Sequence, residues 1–135
     1  MQIVLATHNK GKMSELNNLL SSSYEVLTLD HFPNIKDIPE TGKTLKENAF
    51  IKARTVFEMT GLPSLADDTG LEVESLGGDP GVFSARYAGE QASYQDKCEK
   101  LLKNMMRVPK KEREAKLSTV TVSNTQLTLP TKRIE

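Results

Sequence analysis

The chain has 135 residues, enough for one domain with one real core. Its 18 basic and 18 acidic side chains cancel, which argues against a general nucleic-acid or membrane-surface binder. No apolar run approaches the roughly 18 residues that a membrane span needs, and a single cysteine, Cys98, excludes an internal disulfide, so a cytoplasmic or otherwise reducing location is expected.

Residues 2–6, QIVLA, read as a short buried strand. The apolar run 3–6 is too short for a signal-peptide core and no basic segment precedes it. A helix is expected from Gly11, with Met13, Leu16, Leu19 and Leu20 at helical spacing and the serines at 21–23 ending it. YEVLTL, 24–29, reads as a second strand. Residues 30–44 hold two prolines and a glycine with little periodicity, and are expected to be a loop.

Thr44 and Glu47 match a capping box, in which each side chain accepts from the other residue's amide. The helix they open carries Leu45, Ala49, Ala53, Val56 and Thr60 on one face. Gly61 stands where a left-handed C-terminal residue belongs, and Pro63 blocks continuation. Asn48 and Lys52 lie one turn apart on this helix.

PSLAD, 63–67, and LEVESL, 71–76, read as two strands joined through Asp67, Asp68, Thr69 and Gly70. GGDPGVFSARYAGE, 77–90, reads as a tight glycine-rich turn leading to a surface loop. Ser93 and Asp96 start another helix, with Tyr94, Cys98, Leu101, Leu102 and Met105 as its apolar stripe and Pro109 at its end. Cys98 on that stripe is assigned a packing role. KKEREAK, 110–116, reads as a solvated charge run. From residue 118 the text turns rich in Thr and Ser. It suits either a hairpin, 119–122 against 126–129, or a weakly ordered tail. The order of elements implies an α/β fold with a mixed, twisted sheet flanked by helices.

Two stretches carry the chemistry. The turn of Thr7, His8, Asn9, Lys10, Gly11 and Lys12 falls between a strand and a helix. Amides at such a point converge, the helix dipole adds positive potential, and the two lysines add charge. A polyphosphate would fit there. The Walker spacing is missing, and an exposed polar turn with a solvated His8 fits the same letters. In ADDTG, 66–70, two adjacent acids repel unless partnered, and a divalent cation would relieve them. An Asx-type turn before Gly70 is the alternative. Glu40 in the preceding loop is a third acid, and Lys52 a further cation; each alone also suits plain solvation.

Taken together, ATHNKGK at 6–12, ETGKTLKENAFIKA at 40–53 and LADDTGLEVESLGGDPGVFSARYAG at 65–89 resemble the inosine triphosphate pyrophosphatase family. The likeness runs from residue 1 to about 117, leaving 118–135 as a divergent tail. The resemblance implies hydrolysis of non-standard purine nucleoside triphosphates such as ITP, dITP and XTP to the monophosphate and pyrophosphate. It assigns residues 7–12 to triphosphate binding, Glu40 and Asp68 to Mg²⁺, Asp68 to proton acceptance, Lys52 to phosphate contact and Thr69 to substrate. It also implies an elongated two-lobed fold and a homodimer, with no nucleic acid or membrane as partner. The family's later Phe-Gly-Tyr-Asp and Ser-His-Arg motifs, which read the base, do not occur in these 135 residues. The C-terminal part of the family fold is therefore expected to be incomplete and base discrimination impaired. The alternative is a catalytically silent fragment that binds nucleotide phosphates or pairs with a full-length subunit. A Maf-like enzyme acting on modified pyrimidine or methylated nucleotides is disfavoured by ADDTG and LGGDPG.

Overall fold

The structure is a computed structural model and describes residues 1–89 and 92–124. Its elements are β1 (Gln2–Leu5), α1 (Lys10–Leu20), β2 (Glu25–Thr28), α2 (Leu45–Thr60), β3 (Ser64–Val73), β4 (Pro80–Gly81), α3 (Tyr94–Asn104) and β5 (Ala115–Asn124). Short 3-10 turns fill several connections. The α/β class with a mixed sheet is as the sequence implies. The described residues divide into two compact units: Met1–Asp68 with 120–124, and those within Thr69–Thr119.

In the first unit β1 is central and parallel to both neighbours. Gln2 pairs with Glu25 and Leu5 with Thr28 on one side, and Val4 with Ser64 and Leu5 with Leu65 on the other. The order β2-β1-β3 means that the chain leaves β1 toward one edge and returns on its other flank. The carboxyl ends of two adjacent parallel strands therefore lie side by side, the usual place for a ligand crevice in an open α/β sheet. The turn at 6–9 follows the end of β1, and Asp67 and Asp68 lie within β3 just beyond Leu65, the residue that pairs with Leu5.

Val4, Ala6, Leu29, Ile35, Ala53, Val56 and Ala66 form the core of this unit. Val4 and Val56 are fully buried, and burial of each contributes about 2 kcal/mol. The Ser64 hydroxyl donates to the Ala53 carbonyl at 2.5 Å, fixing β3 against α2.

The helix α2 follows its sequence signals, with one correction. The Thr44 hydroxyl accepts from the Glu47 amide at 3.1 Å, a cap worth about 1 kcal/mol. Glu47 does not return the bond to Thr44; its carboxylate accepts the Lys43 amide hydrogen at 2.6 Å. Gly61 is left-handed, at φ 70°. On α1 the expected apolar stripe is only partly used: Met13, Leu16 and Leu20 are half-buried and Leu19 is 71% exposed.

The larger correction concerns the acids. The two strands expected at 63–67 and 71–76 are one continuous β3, and no turn interrupts it. Every residue from Ser64 to Asp68 is buried. A central strand flanked on both sides reads as a buried run, and here two aspartates are part of that run because cations meet them.

In the second unit β4 is antiparallel to β3, pairing Leu71 with Gly81 and Glu72 with Pro80. β5 also pairs with β3, and the Glu74 amide donates to the Glu114 carbonyl. Ser93 and Asp96 make a reciprocal capping box on α3. Along its stripe Met105 is buried and Cys98 and Leu101 are half-buried, but Tyr94 and Leu102 are exposed. The helix stops at Asn104, five residues before Pro109, where Met105 takes the C-cap. Residues 110–116 are exposed throughout, as a solvated charge run should be. Residues 119–122 lie within β5, whereas 126–129, the other half of the expected hairpin, fall outside the described residues. Among the described residues no helix is long and apolar enough to cross a membrane.

Candidate functional site

The turn after β1 is shaped by its own side chains. Thr7 is 8% exposed, and its hydroxyl accepts the Asn9 amide hydrogen at 3.1 Å. Asn9 is the N-cap of α1 and accepts the Lys12 amide hydrogen at 3.1 Å. The resemblance assigns both residues to triphosphate binding. Their side chains also hold the turn that leads into the first amides of α1. A Cβ at Gly11 would lie 3.3 Å from the capping oxygen of Asn9, so the absence of a side chain there leaves room for the cap. Lys10 is exposed on the first turn. His8 is half exposed, with its Nε2 3.8 Å from Asp37.

Lys12 reaches across to β3. Its Nζ lies 3.1 Å from Oδ2 of Asp67. Lys52, one turn from the buried Asn48 on α2, approaches the same strand from the helix layer. It donates to the Asp67 carbonyl and lies 3.8 Å from both Glu40 and Asp68. The alternating faces of β3 thus send the two adjacent acids to different lysines. Glu40, Lys52, Asp67, Asp68 and Lys12 form one connected cluster, although they come from a loop, two helices and a strand.

Asp68 is 7% exposed, and burial raises its pKa above the ordinary 3.8. Glu40 pushes in the same direction, whereas Lys52, Asn48 and Lys12 oppose it. Two carboxylate oxygens in the cluster, Oδ1 of Asp67 and Oδ2 of Asp68, are buried without a hydrogen-bond partner. Unmatched buried acceptors of this kind suit a cation or a proton-bearing ligand. Among the described residues no group of three or more His, Cys, Asp or Glu side chains is arranged as a metal cage. A site with two carboxylates would need the remaining oxygens from ligand or water, as is common for Mg²⁺.

Two further features are not singled out by sequence reasoning. Asp67 reads there only as half of a pair, yet it is the partner that fixes Lys12. Asn48 is completely buried, and its Oδ1 accepts the Gly42 amide hydrogen at 2.7 Å. Its place among Ala49, Ala53 and Val56 is the available signal, since a polar residue on a buried helix face needs a reason. Thr69, by contrast, opens the second unit, where its hydroxyl lies 2.9 Å from that of Thr119.

Comparison with known proteins gives the family of the chain. A family model, that of the Ham1 family, matches residues 3–133. A dITP/XTP pyrophosphatase from Vibrio parahaemolyticus is 53% identical over 122 residues, covering 90% of this chain and 60% of that protein. One from Geobacter sulfurreducens is 47% identical over 115 residues, covering 84% and 58%. Among solved structures, a HAM1 protein from Coxiella burnetii superposes with a TM-score of 0.82 at 40% identity, covering 91% of this chain and 62% of that one. The nucleoside-triphosphatase / dITP/XTP pyrophosphatase from Mycobacterium abscessus gives 0.79 at 36% identity, covering 93% and 66%. The chain thus spans about three fifths of the length of the sequence relatives it matches.

Proposed function

The chain belongs to the Ham1 family, and from that premise we propose that it hydrolyses non-standard purine nucleoside triphosphates, ITP, dITP and XTP, to the monophosphate and pyrophosphate. The observation that carries this reading is the position of Lys52, 3.8 Å from both Glu40 and Asp68, beside the Lys12–Asp67 pair. A triphosphate needs cations for its charge and acids for a metal and a proton. This cluster holds both.

In this reading the amides opening α1, with Lys10, Lys12 and Lys52, bind and orient the phosphates. Thr7 and Asn9 keep the turn in shape, and His8 and Gly11 line it. Asp68 holds the attacking water and accepts its proton as the water adds to the α-phosphorus and pyrophosphate leaves. Burial makes its carboxylate a better base than an exposed one. Catalysis is then mostly positioning and charge neutralisation. The residues fit Mg²⁺ as cofactor: Glu40 and Asp68 offer hard oxygens around the same lysine, and one Asp68 oxygen is buried without a partner. Bound there, the ion would spread the negative charge that builds on the phosphate oxygens. Thr69 as a substrate contact, a homodimer as the working state and the cytoplasm as its location complete the reading.

The test is pyrophosphate release from ITP in Mg²⁺, compared with the Asp68→Asn variant. A loss of about a hundredfold or more is expected. Equal rates for the two proteins would remove the assignment.

A further inference from the structure

Asp67 touches two lysines in two different ways. Its carboxylate oxygen Oδ2 lies 3.1 Å from Nζ of Lys12. Its main-chain carbonyl accepts a hydrogen bond from Nζ of Lys52. The two ammonium groups come from different elements, the first turn of α1 and the middle of α2. Strand geometry brings them to one residue. Leu65 gives its carbonyl to the Ala6 amide. Two residues on, the carbonyl of Asp67 points the same way, beyond the last pairing of β1 with β3, and Lys52 takes it. The side chain leaves the sheet instead, and there it meets Lys12.

Asp67 is 6% exposed, so its place is fixed by the strand around it. On charge alone an acid here opposes the binding of a polyphosphate, because like charges repel. What it supplies is order. A lysine with no fixed partner spreads its charge over many positions of a flexible stem, and a ligand must then gather it in. We propose that Asp67 is a positioning residue for the two lysines: its carboxylate sets Lys12, its main-chain carbonyl sets Lys52, and one strand residue thereby fixes the spacing of both ammonium groups. This rests on the reading of Lys12 and Lys52 as phosphate ligands.

The two halves separate in Asp67→Asn, which removes the carboxylate and keeps the carbonyl. Acetylation by acetic anhydride, followed at each lysine by mass spectrometry, reads them without substrate or metal. In the wild-type protein Lys12 should react at least about threefold more slowly than Lys10, the exposed lysine of the same turn. In Asp67→Asn, Lys12 should speed up at least about threefold while Lys52 stays within about twofold of its wild-type rate. Equal rates for Lys12 and Lys10 in the wild-type protein would overturn the proposal, and that comparison decides it should the variant not fold. In a folded variant, an unchanged Lys12, or Lys12 and Lys52 accelerated together as general loosening would give, would overturn it too.

Affinity for inorganic tripolyphosphate, measured by calorimetry in EDTA, gives the sign. Asp67→Asn removes a negative charge, so an acid acting through its charge alone would leave the variant binding more tightly. Positioning requires the opposite, binding about fivefold weaker. With Lys12→Met already in place, Asp67→Asn should change affinity by no more than about twofold. Equal or tighter binding by Asp67→Asn, or additive losses in the double variant, would overturn the Lys12 half. A wild-type protein that binds no tripolyphosphate would overturn the phosphate role on which the inference rests. Inactivity of the wild-type protein on ITP would defeat the proposed function, and the acetylation rates, which need no ligand, decide the positioning by Asp67 either way.

Discussion

Lys12 and Asp67 form an ion pair at 3.1 Å in which the acid is the more deeply buried partner, its side chain 9% exposed against 27% for the lysine. The inequality sets the direction of mutational effects. Lys12→Met leaves a buried carboxylate, one oxygen of which already lacks a hydrogen-bond partner. That should cost about 2–3 kcal/mol. Asp67→Asn leaves a lysine that can turn toward water and should cost about 1 kcal/mol. Urea unfolding of both variants checks the order, and the reverse order would contradict it.

Lys52 is held more tightly, at 12% exposure between two carboxylates and a carbonyl. Lys52→Met leaves Glu40 and Asp68 without the cation they share. A stability loss of about 3 kcal/mol is expected, together with loss of ITP hydrolysis. A Lys52→Met variant as stable as wild type in the same urea measurement would show that the cluster is more hydrated than its burial implies.

Asp68 illustrates a conflict between stability and function. Its pKa is raised, so between the ordinary 3.8 and its own higher value the folded chain holds the proton more tightly than the unfolded chain does. Stability from this group is complete below 3.8 and is lost as pH rises through the folded pKa. At pH 7, without metal, Asp68→Asn should therefore raise the thermal midpoint by about 2–4 °C. The gain should vanish by about pH 4, where the wild-type carboxyl is itself becoming neutral. Melting curves in EDTA from about pH 4 to about pH 8 measure this directly. A variant less stable than wild type at neutral pH would mean that the Lys52 attraction outweighs burial.

The close approach at Gly42 gives a fourth expectation. Alanine there meets Glu47 and Asn48 at 2.6 and 2.7 Å, so the loop must move. Gly42→Ala should destabilise by about 2 kcal/mol and should weaken ITP turnover by displacing Glu40. Unchanged turnover would separate the loop from the chemistry.

The parts of this molecule that depend on near neighbours in sequence were legible. Thr44 and Gly61 mark the ends of α2, and Ser93 with Asp96 marks the start of α3, because caps are local chemistry. The strands expected at 2–6 and 24–29 are found at Gln2–Leu5 and Glu25–Thr28, because short apolar runs mark them locally. ADDTG misled because its letters favour a turn. Continuity of β3 depends on Lys12 and Lys52, which reach the acids only after the chain has folded. Thr7 and Asn9 belong to the turn as the sequence implies, and their bonds to the amides of Asn9 and Lys12 were not legible there, because they depend on how the turn folds. The role of Asn48 escaped because its partner, the Gly42 amide, is brought to it by the fold of the preceding loop and by nothing in the helix itself.

The central claim is that the turn after β1 and the adjacent acids of β3, Asp67 and Asp68, serve one magnesium–triphosphate. Amide shifts followed by two-dimensional NMR during titration with an ITP analogue, its α–β bridging oxygen replaced by nitrogen, test it most directly. With Mg²⁺ present, the amides of Lys10, Gly11 and Lys12 should move together with those of Asp67 and Asp68, at one common midpoint. Movement in one segment with silence in the other would contradict the claim.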